Sequence, residues 1–181
     1  MDFLRLITTW DCPRSCEGCC NKQYDRSGVP VWDGTMPKVA VLFTGGEPLL
    51  YPTRLIKLSH RMRAHFPKVK QMVYTANVRN LLAAFAALQA MDGLTLTLHE
   101  QSDVDAAMPF MDALASCHEC NVKSLHLNVF PGIRFWGLPV RGWQIKHKQW
   151  LTKNSSEWLV NRSQHGEKLY QYLEEHKEIG L

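Results

Sequence analysis

Lys38-Val39-Ala40-Val41-Leu42-Phe43-Thr44-Gly45-Gly46-Glu47-Pro48 is a run of apolar residues that ends in two glycines, an acid and a proline. From Lys38 to Phe43 the side chains do not alternate with polar ones, which is how a strand buried on both faces of a parallel sheet reads. Glycines at the C-terminal end of such a strand let a ligand come close to the backbone, and that edge is where parallel sheets bind ligands. Taken by itself, Thr44 to Pro48 reads sooner as a tight turn ahead of a helix. The helix follows at once. Pro52 and Thr53 open it, Leu55, Leu58, Met62 and Phe66 share one face, and Pro67 closes it.

Outward from this unit the same order repeats. Phe3 to Thr9 reads as a preceding strand, Lys70 to Tyr74 as a third, Leu94 to Leu98 as a fourth and Ser124 to Asn128 as a fifth. Between them lie an alanine-rich helix, Asn80 to Ala90, with Leu81, Phe85 and Leu88 inward, and another starting at Ser102-Asp103-Val104-Asp105. The second of these places Val104, Met108, Met111 and Leu114 at helical spacing, a core stripe rather than a cofactor box. Strand and helix in alternation imply a parallel sheet with right-handed crossovers. The expected fold is therefore α/β, with a sheet of about five to six parallel strands. Residues 1–130 form the core. Residues 131–181 form an irregular, tryptophan-rich extension (Trp136, Trp143, Trp150, Trp158) ending in a helix over Gln164 to His176, with Leu169 and Leu173 inward.

Composition sets the class. The 181 residues are 45% hydrophobic and 21% charged, which suits one soluble globular domain. No apolar stretch approaches the ~20 residues of a membrane span. The N-terminus carries no secretion signal, so a cytoplasmic location is expected. The net charge of +4 gathers on Arg54, Lys57, Arg61, Arg63, Lys68 and Lys70, read as a solvated helix face and its exit. A nucleic-acid partner is not expected from charge of this size.

The long segment from 10 to 37 breaks the alternation, and long loops usually carry function. It holds Cys12-Pro13-Arg14-Ser15-Cys16-Glu17-Gly18-Cys19, three thiols at spacing C-x3-C-x2-C. Three thiolates wrapped round one face of a cubane iron–sulfur cluster leave the fourth iron open to a ligand. A zinc knuckle or packed cysteines would be the plain alternative, but zinc sites recruit ligands in pairs, which this triplet does not match.

The triplet after the first strand and Thr44-Gly45-Gly46-Glu47-Pro48 after the second together resemble the radical S-adenosylmethionine (SAM) superfamily, over roughly residues 3 to 130. The resemblance implies a partial (β/α) barrel of the radical SAM type. It also implies a [4Fe–4S] cluster on Cys12, Cys16 and Cys19, with SAM chelating the open iron through its amino and carboxylate groups. Gly45, Gly46 and Glu47, with Pro48 completing the motif, would meet the methionyl amino group. Thr75 and Asn77, at the end of the third strand, are the candidates for ribose or carboxylate contacts. Reductive cleavage of SAM would give a 5′-deoxyadenosyl radical that takes a hydrogen from substrate, with an electron donor such as flavodoxin or ferredoxin. The chain departs from the family at Gly18, where many members carry an aromatic, and Ser124 to Gly132 lacks the family's spaced glycine and isoleucine pattern.

Cys16-Glu17-Gly18-Cys19-Cys20-Asn21-Lys22, with Ser27-Gly28-Val29-Pro30 beyond, resembles locally the activating enzymes of anaerobic ribonucleotide reductases. That implies hydrogen abstraction from a glycine of a glycyl radical enzyme as partner. The Thr44 to Pro48 motif is equally similar to small-heterocycle enzymes such as the 7-carboxy-7-deazaguanine synthases. A third possibility is a non-catalytic iron–sulfur or zinc module. Cys117-His118-Glu119-Cys120 ends a helical run and reads as core and cap, because with Cys20 it supplies too few thiols for a second cluster.

Overall fold

The computed structural model describes residues 2–16, 19, 26–35, 37–117, 124–150 and 166–172. These residues form seven strands: β1 (Phe3–Thr9), β2 (Ala40–Gly45), β3 (Lys70–Thr75), β4 (Gly93–Leu98), β5 (Leu125–Val129), β6 (Gln144–His147) and β7 (Glu167–Gln171). Three α-helices lie between them in sequence: α1 (Pro52–His65), α2 (Leu81–Ala90) and α3 (Ser102–Ser116). All strands join one sheet in the order β6-β5-β4-β3-β2-β1-β7, and every neighbouring pair is parallel. An α/β fold built on one parallel sheet is what the alternation of elements requires.

Because β1 to β6 neighbour one another in chain order, successive right-handed crossovers return the helices to the same face. Leu4, Leu6, Val41, Phe43, Val73, Leu94, Leu96, Leu98, Leu127 and Val129 line that face. They form one core with Leu55, Leu58 and Met62 of α1, Ala84 and Ala87 of α2, and Phe110 and Met111 of α3. Paired residues of a parallel ladder share a face, so the opposite face carries Arg5, Met72, Tyr74, Thr95, Thr97 and Asn128. The Arg5 guanidinium lies 4.9 Å from the centre of the Tyr74 ring although β2 runs between their strands. The helix-free face thus mixes these groups with the apolar Ile7, Leu42 and Leu169, and two of its side chains meet across a strand. β6 and β7 are the two edges of the sheet.

Three expectations need correction, the first being the strand number: the sheet has seven strands, not five to six, because β6 and β7 extend it at its two edges. The helix expected over Gln164 to His176 is, within its described part, strand β7, paired with β1 from Phe3↔Glu167 to Ile7↔Gln171. Non-local pairing overrides the local pattern: Glu167 ion-pairs with Arg5, and Leu169 packs with Ile7 and Val29. The tryptophan-rich stretch is not irregular throughout, since β6 lies inside it and Leu138 and Trp143 enter the main core. Trp136 is 88% exposed, whereas Trp158 lies outside the described residues. Among the described residues no helix is long and apolar enough to cross a membrane.

Candidate functional site

The exits of β1 and β2 are laced together beyond the ends of both strands. Gly46 donates its N–H to the Thr9 carbonyl at 2.7 Å, and Glu47 donates to the Asp11 carbonyl at 2.8 Å. The two backbones run so close that side chains are excluded at the glycines. A Cβ at Gly46 would stand 1.9 Å from the Asp11 carbonyl oxygen, and one at Gly45, whose φ is +127°, 2.2 Å from that of Thr9. Gly45 and Gly46 therefore hold the first residues of the cysteine loop against the end of β2.

Glu47 is 1% exposed. Its Oε1 accepts from the Thr75 hydroxyl at 2.6 Å and from Leu49 N–H at 3.1 Å, and its Oε2 accepts from Ala76 N–H at 2.9 Å. One carboxylate thus joins the end of β2, the short 3-10 turn Pro48–Leu50 and the end of β3. Burial pushes the Glu47 carboxyl up from its ordinary value, against the pull of these three hydrogen bonds. Thr75, also buried, has its hydroxyl committed to Glu47, and its Oγ1 accepts Asn77 N–H at 3.0 Å. Asn77 does not cap the helix that follows. Its Oδ1 accepts Arg79 N–H, and Asn80 caps α2 by accepting from Ala83 N–H. Pro48 is buried at the start of the 3-10 turn.

Cys12, Cys16 and Cys19 all carry free thiols; Cys16 is buried and the other two are half-buried. Burial pushes the Cys12 thiol up, and charge on Glu47, Cys16 and Cys19 pushes it the same way, against a hydrogen bond from the Arg14 backbone. A cation bound beside Cys12 would offset that rise. Among the described residues no three His, Cys, Asp or Glu side chains converge on a single metal ion. The free thiols of Cys12, Cys16 and Cys19, near the C-terminal edge of a parallel sheet, are donors of the type that iron–sulfur clusters take. Cys20 and Cys120 lie outside the described residues. Cys117 ends α3, donating its N–H to the Leu114 carbonyl.

Side chains that the sequence did not single out complete the site. The Arg14 guanidinium pairs with both carboxylate oxygens of Asp103, its Nη2 at 2.8 Å from Oδ2, and its Nε lies 3.4 Å from the Cys16 sulfur. Burial works to raise the Asp103 carboxyl, but Arg14 and the His99 and Glu100 N–H groups outweigh it and hold the carboxyl below its usual range. His99, one residue past β4, sits among aromatic rings, with Phe130 at 4.8 Å and Trp150 stacked at 5.4 Å between centroids. Its buried Nδ1 has no hydrogen-bond partner among the described residues. Burial, helped by the Arg14 charge, pushes the imidazole down to about 4, so it is neutral at pH 7.

That shift has a measurable sign. The unfolded chain protonates this histidine near 6.5 while the folded one resists until about 4, so its stability is lost as pH falls through that window. At pH 5 the loss is about 2 kcal/mol. His99→Phe keeps an aromatic ring but removes the titration, so its fall in stability between pH 7 and pH 5 should be smaller than that of the wild type. Equal falls in denaturant titrations at the two pH values would refute the assignment.

Comparison with protein-family models finds none that matches this chain, and comparison with curated proteins finds no match.

Proposed function

We propose that this protein is a radical SAM enzyme whose [4Fe–4S] cluster is held by Cys12, Cys16 and Cys19. The observation that carries the reading is the lacing of the cysteine loop to Gly46 and Glu47 at the C-terminal edge of a parallel sheet. The start of the cysteine loop and a motif about thirty residues further on are joined where such sheets bind ligands, as a site shared between a cluster and SAM requires. When bound, the cluster and SAM supply one-electron cleavage to a 5′-deoxyadenosyl radical.

The chain's own residues do the rest. The three thiols bind iron, the two glycines hold the loop against β2, and Glu47 fixes the ends of β2 and β3 to each other. The barrel is partial and of the radical SAM type, with its opening between β6 and β7. That opening favours a large substrate, so the primary reading is activation of a glycyl radical enzyme, with reduction by a flavodoxin or ferredoxin. A second reading, a small heterocycle as substrate, is favoured by the buried polar groups Thr95, Thr97 and Asn128 on the helix-free face. These offer the few convergent hydrogen-bonding groups that small-molecule sites use.

Anaerobic reconstitution with iron and sulfide, followed by dithionite and SAM, should yield 5′-deoxyadenosine and a spectral change on adding SAM. A loaded cluster indifferent to SAM would leave only a non-catalytic module. Mixing with a co-encoded anaerobic reductase separates the substrates. A glycyl doublet in the electron paramagnetic resonance spectrum supports activation, and turnover of a heterocycle with no radical on a partner supports the second reading.

A further inference from the structure

From Cys12 to Cys16 the cysteine loop lies outside any strand, so its shape depends on side-chain tethers. Arg14 supplies a tether in three directions. Its terminal nitrogens grip both oxygens of Asp103, Nη1 also donates to the Ala76 carbonyl at 3.3 Å, and Nε faces the Cys16 sulfur at 3.4 Å. Asp103 is anchored in turn. It is 3% exposed, and its Oδ2 accepts the backbone N–H groups of His99 at 2.7 Å and Glu100 at 3.0 Å. An unbroken chain of contacts thus runs from the Cys16 sulfur to the ends of β3 and β4. The Glu100 carboxylate, 3.8 Å from Nη2, is the second acid near this cation.

We infer that Arg14, held by Asp103, is a positioning residue that fixes the Cys16 sulfur and donates an N–H to it when that sulfur ligates the cluster; this rests on the reading above. Only a guanidinium can take both carboxylate oxygens while keeping a third N–H for the sulfur, because its donors form a rigid planar fork. Partners behind metal ligands of this kind set how firmly the metal is held. Hydrogen bonds to cluster sulfurs stabilise the reduced, more negative state and so raise the potential. Arg14 therefore acts both on retention, through its anchor, and on potential, through its charge and its N–H.

The test compares wild type, Arg14→Gln, Arg14→Lys and Asp103→Asn after anaerobic reconstitution. It reads loss of iron to a chelator and the midpoint potential from a titration followed by electron paramagnetic resonance. Arg14→Gln should lose iron about ten- to hundredfold faster and titrate at a more negative potential. Arg14→Lys should recover the potential but not the retention, and Asp103→Asn should also lose iron faster. A folded Arg14→Gln protein with wild-type retention and potential overturns the inference alone. Should that variant fail to fold by circular dichroism, Arg14→Lys decides: rapid iron loss supports the inference and wild-type retention overturns it. A wild-type chain that takes up no cluster overturns the proposed function, and the inference with it.

Discussion

Cys16→Ala should abolish the charge-transfer absorbance of the reconstituted protein and all cleavage of SAM, while leaving the fold in place. Cys16 is 7% exposed and is the thiol that Arg14 faces, so an alanine there puts only a methyl group, which cannot ligate iron, into a closed place beside a cation. A cluster held by three thiolates has no spare, so losing one leaves two iron atoms open and the cube unsupported. The cost to the cluster-free chain is far smaller. Removing one sulfur from a loop outside the strands is a modest truncation, of order 1 kcal/mol. Iron content near zero together with a nearly unchanged denaturant midpoint is the expected pair of results. Cys117→Ala, at the far end of α3, should keep its iron. A cluster that survived the loss of each of Cys12, Cys16 and Cys19 in turn would remove the basis of the assignment.

The parts of this site that could be read from the chain are those built from neighbours in sequence. β1 to β5 and the three helices announce themselves, because each buries its own apolar pattern against one core. β6 does not, since Gln144, Ile145, Lys146 and His147 are all exposed at an edge and carry no hydrophobic signal. β7 misleads for a different reason. Leu169 and Leu173 have helical spacing, and only pairing with β1, over 160 residues away, makes Glu167 to Gln171 a strand. The cysteines and the Gly-Gly-Glu motif are legible as motifs, but the bonds that tie Gly46 and Glu47 to Thr9 and Asp11, just ahead of Cys12, are tertiary. Arg14 and Asp103 stand 89 residues apart, and nothing local to either marks the pair. His99 is likewise an ordinary residue in sequence, and its neutral state comes from Phe130, Trp150 and Arg14 closing round it. What sequence conveys here is which residue types are present for the chemistry. What holds them in place comes from long-range pairs that periodicity does not encode.

Glu47 shows the difference most sharply, and its removal should be the most damaging change outside the cysteines. The resemblance gives this residue to the amino group of SAM, whereas the structure commits both its oxygens to Thr75, Leu49 and Ala76. Two effects compete. Burying a carboxylate is costly, which is why burial raises its proton affinity in the folded chain. Against that, Glu47→Ala leaves three donors without an acceptor in a place closed to water, at about 1–3 kcal/mol each if none finds a substitute. The lost hydrogen bonds win, so Glu47→Ala should cost roughly 3–5 kcal/mol in denaturant unfolding of the cluster-free protein. The linkage has its own sign. With its folded-state value above the ordinary 4.5, Glu47 contributes more stability as pH falls towards that value and less as pH rises, opposite to His99. The variant should lack this component when each mutant is compared with wild type at the same pH. Iron and SAM separate the two roles. If the carboxylate serves only SAM, Glu47→Ala keeps wild-type stability and iron and loses only affinity for SAM. If it pins the strand ends beside the cysteine loop, stability falls by several kcal/mol and iron retention falls with it, whether or not SAM is present.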